Sequence, residues 1–189
     1  MQKINIRTTT LIAIVILTAL TRLIPHIPNL SPLGAISLFG AAYFTKKSHA
    51  FIIPIIATWL SDLLLNNIVY AQYYPTFTWF YNGFYWQYIS YAIIVILGIF
   101  LFSKINLKTI LVGSISASLI FYFISNFGCW VDSGLYPKTF SGLITCYLAA
   151  LPFINGTLAG NVFYSFLLFG SFSLLQQHYP ILIKNKTSL

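Results

Sequence analysis

Apolar residues run along this chain in blocks of about 16 to 19, close to the length an α-helix needs to cross a hydrocarbon core of about 30 Å. The blocks are Thr8–Ile24, a shorter Leu33–Phe44, Ala50–Leu65, Phe84–Phe102, Ile110–Phe127 and Thr157–Leu175. None shows the alternating ten-residue segments of a membrane β-barrel, so they predict an all-α membrane protein built as a six-transmembrane-helix bundle. Phe140–Phe153 is a seventh apolar piece, containing Gly142 and closed by Pro152. It is too short to span alone and is expected to form a re-entrant or interfacial segment before the last helix. Pro25, Pro28 and Pro32, ahead of the second block, predict a chain that enters the bilayer at a slant.

Composition points the same way. Hydrophobic residues make up 58% of the chain and charged ones 6%, against about 25% charged in a soluble domain. So few charges cannot cover a soluble surface, and residues 1–189 are read as a single integral membrane domain. The start of the chain has a basic end and an apolar run, as a signal peptide does, but no small-x-small cleavage site follows, so this segment is kept as the first helix. The net charge of +8 does not imply nucleic acid, because the cations are dispersed. Lys3 and Arg7 precede the first block, Lys46 and Lys47 follow the second, Lys104 and Lys108 join the fourth to the fifth, and Lys184 and Lys186 follow the last. With six crossings all four places fall on one side. The positive-inside rule then makes that side the cytoplasm, with both termini inside a bacterial inner membrane.

The candidate chemistry centres on Asp62, one of two acidic residues in the chain. A carboxylate at membrane depth costs several kcal/mol or more unless it is paired or faces water. Trp59, Asp62 and Asn66 are spaced i, i+3, i+7 and share one helix face. Asp62 lies roughly 18 Å from the inner start of its helix and Arg22 roughly 21 Å from the inner start of the first. Two readings stand together: a buried Arg22–Asp62 ion pair, and direct binding of a ligand by Asp62. Ser114, Ser118, Tyr122, Ser125 and Asn126 form a polar stripe on the fifth helix that Cys129 and Trp130 continue outward. Asn155, Asn161, Tyr164 and Ser165 supply another, and Trp86, Tyr88 and Tyr91 lie on the fourth helix. Ser, Thr and Asn commonly bond between membrane helices, and Gly156 and Gly160 have a G-x-x-x-G spacing that permits close packing. Ser114 and Ser118 are read as such packing residues, while Asn126 and Trp130 fall where an outward pocket could open.

Tyr73, Tyr74, Trp79, Tyr81, Tyr85 and Trp86 crowd one outer connection. They suit an interfacial aromatic belt or a lid over an aromatic or amphipathic substrate. Cys129 and Cys146 both fall near the outer face, as packing residues or as a disulfide in an oxidising compartment. They lack the further ligands of a zinc site. His26, His49 and His178 fall on different sides, and no Gly-rich phosphate loop, H-E-x-x-H or G-x-S-x-G is present. No enzyme activity, metal or cofactor is therefore expected.

Several segments carry a resemblance. Arg22, the run Pro25-His26-Ile27-Pro28-Asn29-Leu30-Ser31-Pro32, Leu38-Phe39-Gly40 and Ser61-Asp62-Leu63 are joined in the second half by Ser125-Asn126-Phe127-Gly128-Cys129-Trp130, Cys146-Tyr147-Leu148 and Thr157-Leu158-Ala159-Gly160. Together they resemble a family of small bacterial membrane proteins of unknown function described as transporters. That family is distantly similar to the S-components of energy-coupling-factor (ECF) uptake systems, which capture vitamins or metal ions from outside. The family pattern carries aspartate where this chain has Asn161, so a cation-coupling role is not expected there. The resemblance implies capture of a small solute, vitamin-like or a metal ion, with an ECF-type transmembrane subunit and ATPases as partners. Trp59, Asp62, Asn66, Asn126, Trp130 and Asn155 are the candidate lining. The competing expectation is a membrane enzyme acting on a lipid or lipid-linked substrate at the outer leaflet.

Overall fold

The computed structural model describes residues 5–183. Lys3, Lys184 and Lys186, which entered the charge argument, lie outside the described residues. Among the described residues there are helices and no strands. The order is α1 (Ile6–Leu20), α2 (Leu33–Tyr43), α3 (Lys47–Leu64), α4 (Phe84–Leu101), α5 (Leu107–Asp132) and α6 (Phe140–His178). Five of them, α1 and α3 to α6, are long and apolar enough to cross a membrane, some with their terminal turns included. The chain runs back and forth, so one end of the bundle carries the start of α1 and the end of α6, and the other carries the connections 65–83 and 133–139.

The second helix departs from the expected bundle of six spans. At 11 residues, α2 measures about 16 Å, half a hydrocarbon core. It is the central helix: every residue from Leu33 to Gly40 is buried. Its sequence, LGAISLFGAAY, has no charged residue, as a helix surrounded on all sides requires. Gly34, Ala35, Ser37 and Gly40 let neighbours approach, while Phe39 packs edge-on against Phe169 and Phe172 of α6.

A second correction concerns Phe140–Phe153, which is neither re-entrant nor separate. It is the first third of α6, one helix of 39 residues and about 58 Å. Pro152 forfeits one backbone hydrogen bond, but side chains hold the turns before it onto α5. The Tyr122 hydroxyl donates to Tyr147 O at 2.6 Å, and the Tyr147 hydroxyl donates to Phe123 O at 2.8 Å. Thr139 caps the start, its Oγ1 accepting from Gly142 N. Proline inside a helix costs about 3 kcal/mol through the lost bond and the clash of its ring with the preceding turn, and the helix continues through it with these contacts on its N-terminal side.

The G-x-x-x-G pair also acts differently from expectation. Gly156 and Gly160 face the connection between α1 and α2 rather than another helix. A Cβ on Gly156 would sit 2.1 Å from Pro28 O, and one on Gly160 would sit 2.8 Å from Ser31 N. The proline-rich connection is thus pressed backbone to backbone against α6. At the opposite end Arg7 is buried, donating from Nη2 to Tyr43 O at 2.7 Å and from Nε to Leu182 O at 2.9 Å. It satisfies a carbonyl at the end of α2 and one beyond α6, where unpaired acceptors would otherwise remain.

Candidate functional site

Asp62 stands at the end of α3, 4% exposed, where the helix widens into a π turn over Leu65–Val69 closed by Tyr70 N to Leu65 O at 2.7 Å. Single π turns inside helices recur at functional sites. Arg22 lies in the short 3₁₀ turn that ends α1, and its Nη1 is 2.6 Å from Asp62 Oδ1. The same nitrogen donates to Ser61 Oγ at 2.6 Å, and the Tyr88 hydroxyl donates to Asp62 Oδ2 at 3.0 Å. Both carboxylate oxygens are therefore engaged. A buried charge held this way needs both partners, since loss of either leaves the other uncompensated.

Arg22 also borders a chamber of about 210 Å³. Its wall is contributed by the α1–α2 connection (His26, Asn29, Ser31), the start of α2 (Gly34), the π turn (Leu65), α4 (Gln87, Tyr91), α5 (Phe121) and α6 (Thr157, Asn161), with Tyr70 beyond the π turn. Tyr91 and Phe121 stack with ring centroids 5.7 Å apart and planes 13° from parallel, which joins α4 to α5 at the wall. Asn161 Nδ2 donates to Ser118 Oγ at 2.9 Å. A Cβ on Gly34 would sit 2.3 Å from Asn161 Oδ1, so glycine is what lets the amide fit there. A smaller cavity of about 70 Å³ between α5 and α6 shares Asn29, Phe121 and Thr157 with the chamber.

The six candidate lining residues are not brought together. Asp62 lies behind Arg22, joined to the chamber through the guanidinium. Asn66 is buried in the π turn beside Leu65, its Nδ2 without a partner among the described residues. Trp59 stacks on Trp79 of the α3–α4 connection at 6.4 Å and 15°, with its Nε1 also unpaired. Asn126 borders the smaller cavity and donates to Tyr122 O at 2.8 Å. Trp130 and Asn155 are off the chamber. The Trp130 indole donates to Pro137 O at 2.9 Å under the Lys138 ammonium, which fastens the α5–α6 turn, and Asn155 is exposed. Cys129 and Cys146 are free thiols.

Sequence reasoning missed Gln87 as a lining residue, and His26, Asn29 and Ser31 entered it without a place in the pocket. Gln87 had one usable signal: it lies four residues before Tyr91, on the same face of α4. The other three sit in an irregular segment whose path no periodicity predicts.

The aromatic connection continues the site. Phe80 packs on Phe84 at 4.5 Å and Phe84 on Tyr88 at 5.5 Å, so contacts run from the connection through Tyr88 to Asp62 and Arg22. Burial pushes the Tyr81 phenol far above its ordinary pKa, with the Asp62 carboxylate adding to the effect, so Tyr81 stays a neutral donor. Its hydroxyl is a third buried polar group with no partner among the described residues. The second acidic residue, Asp132, accepts from the Tyr85 hydroxyl and from Trp86 Nε1, which ties the end of α5 to the start of α4. Among the described residues, no three His, Cys, Asp or Glu side chains cluster as metal ligands would.

The model of one family, "Family of unknown function (DUF6580)", matches residues 2–182, and the chain belongs to that family. No curated protein and no solved structure matches it.

Proposed function

We propose that this member of the DUF6580 family is a solute-capture protein of the membrane, similar in task to an ECF S-component, and that the Arg22-bordered chamber is its binding site. The observation that carries the reading is the chamber itself, about 210 Å³ of space inside a helical bundle. Concave clefts between helices, with apolar walls and a few placed polar groups, are the usual form of small-molecule sites. The chain of aromatic contacts from Phe80 to Tyr88 supports a role for the α3–α4 connection as a cover whose position is felt at Arg22. In this reading the chamber opens outward from a bacterial inner membrane, because Lys46, Lys47, Lys104 and Lys108 gather at the opposite end. The sequence has no Gly-rich phosphate loop, so sustained uptake would depend on a transmembrane partner with ATPases.

The test is a solute screen on detergent-purified protein, read by thermal unfolding and by mass spectrometry of small molecules carried through purification. The expected result is a solute that binds without ATP and is released unchanged. Gln87→Trp, which fills the chamber from the start of α4, should abolish that binding. A blank screen with folded protein, or binding indifferent to Gln87→Trp, would remove the proposal. Conversion of the bound molecule would replace it with an enzyme.

A further inference from the structure

Several hydrogen-bonding groups are left over in the chamber, amide oxygens of Asn29, Gln87 and Asn161 among them, but the one charged group is a donor. Arg22 spends only Nη1 on protein partners among the described residues, so its Nε and Nη2 edge remains free. Tyr91 is 3% exposed and lines the chamber, yet its hydroxyl makes no hydrogen bond among the described residues. The Gln87 amide, also in the wall, is unpaired in the same way. Acceptors of matching strength are missing, because Asp62 is outside the lining and both its oxygens are engaged. The charged group that borders the chamber is thus the Arg22 guanidinium, whose Nη1 side is neutralised by Asp62 and whose Nε and Nη2 have no protein partner among the described residues.

We infer that the solute is an anion, a small ring carboxylate in class, held by the Nε and Nη2 edge of Arg22. This rests on the capture reading and narrows it, favouring an organic acid over the metal ion that the S-component likeness also allowed. Paired N–H donors on one edge of a guanidinium match the two oxygens of a carboxylate, and such charge-assisted bonds are the strong class. Tyr91 and Gln87 add donors to the same group. Tyr91 and Phe121 both line the chamber, and such aromatic walls favour a ligand that itself carries a ring. A cation would instead meet Arg22 with no free carboxylate to receive it. Asp62 then acts as a positioning residue: by taking Nη1 it turns the remaining edge of Arg22 toward the chamber.

Three ring probes of similar size test the charge: benzoate, its isostere benzamide, and the cation benzylamine, each titrated against the purified protein by thermal shift and by equilibrium dialysis. Benzoate should bind at least about tenfold more tightly than benzamide, the scale of a charge-assisted contact, and benzylamine should not bind. Tyr91→Phe keeps the stack and should weaken benzoate several-fold. Because a single change at Arg22 strands a buried charge, the decisive variant is Arg22→Gln with Asp62→Asn, which leaves no unpaired ion. It should bind benzoate and benzamide alike. A wild-type preference for benzamide or benzylamine, or a benzoate preference that survives in the double variant, overturns the assignment. The capture reading stands in those cases if binding is lost in Gln87→Trp. No binding by any probe also overturns the assignment, and the solute screen then decides the capture reading separately.

Discussion

Breaking the Arg22–Asp62 pair should cost more from one side than from the other. At 2.6 Å and an effective dielectric of about 20, the attraction is roughly 6 kcal/mol before desolvation is subtracted. The measurable quantity is the penalty for stranding one partner, about 3–5 kcal/mol for a buried pair. The two partners are unequally placed. Asp62 is the more enclosed, with 6% of its side chain exposed against 15% for Arg22, and after Arg22→Gln its carboxylate keeps only the Tyr88 hydroxyl. Arg22, after Asp62→Asn, keeps Ser61 and borders a chamber that water can enter. We therefore expect Arg22→Gln to destabilise by about 3–5 kcal/mol and Asp62→Asn by about 2–3 kcal/mol, with the double variant recovering at least about 2 kcal/mol of the sum. The assay is equilibrium unfolding in mixed detergent micelles, followed by circular dichroism for all four proteins of the cycle. Additivity within about 0.5 kcal/mol would show no coupling, and a larger loss from Asp62→Asn would refute the argument from unequal burial.

Alanine at Gly156 should destabilise by about 1–3 kcal/mol because its Cβ would meet a backbone carbonyl 2.1 Å away, whereas Gly170→Ala, with nothing within 4 Å, should be neutral or stabilising by up to about 1 kcal/mol. The same unfolding assay reads both, and equal effects would refute the close contact with the α1–α2 connection. Topology reporters fused after Lys47 and Lys104 should read cytoplasmic, and those after Gly83 and Lys138 external. Two reversals would invert the proposed orientation and place the chamber on the cytoplasmic side.

Much of this protein is local physics and could be read from the chain. Runs of apolar residues without charge specify membrane helices because each unsatisfied backbone group in hydrocarbon costs several kcal/mol. Placing Arg22 and Asp62 at similar depth needed only a helical rise of 1.5 Å per residue. The end of α3 near Asn66 was visible for the same reason. What the local pattern cannot carry is which faces turn toward one another. Trp59, Asp62 and Asn66 share a face, yet that face meets Tyr88, Trp79 and the end of α1, so Arg22 is what reaches the chamber. Gln87 enters the wall because α4 packs against α2, whose start borders the chamber, and Asn29 and Ser31 enter because Gly156 and Gly160 of α6 let their irregular segment press close.

Helix continuity was decided in the same way. Gly142 and Pro152 read locally as interruptions, since proline removes a donor and glycine adds backbone entropy. The Tyr122, Phe123 and Tyr147 contacts between α5 and α6 outweigh that preference. The short α2 shows the converse: eleven residues cannot cross a bilayer, but they can be buried when five longer helices surround them. Local sequence sets each segment's solvent and its favoured backbone. The chamber lies where helices of unequal length, the short α2 among them, leave space between their ends, which is a property of their joint packing.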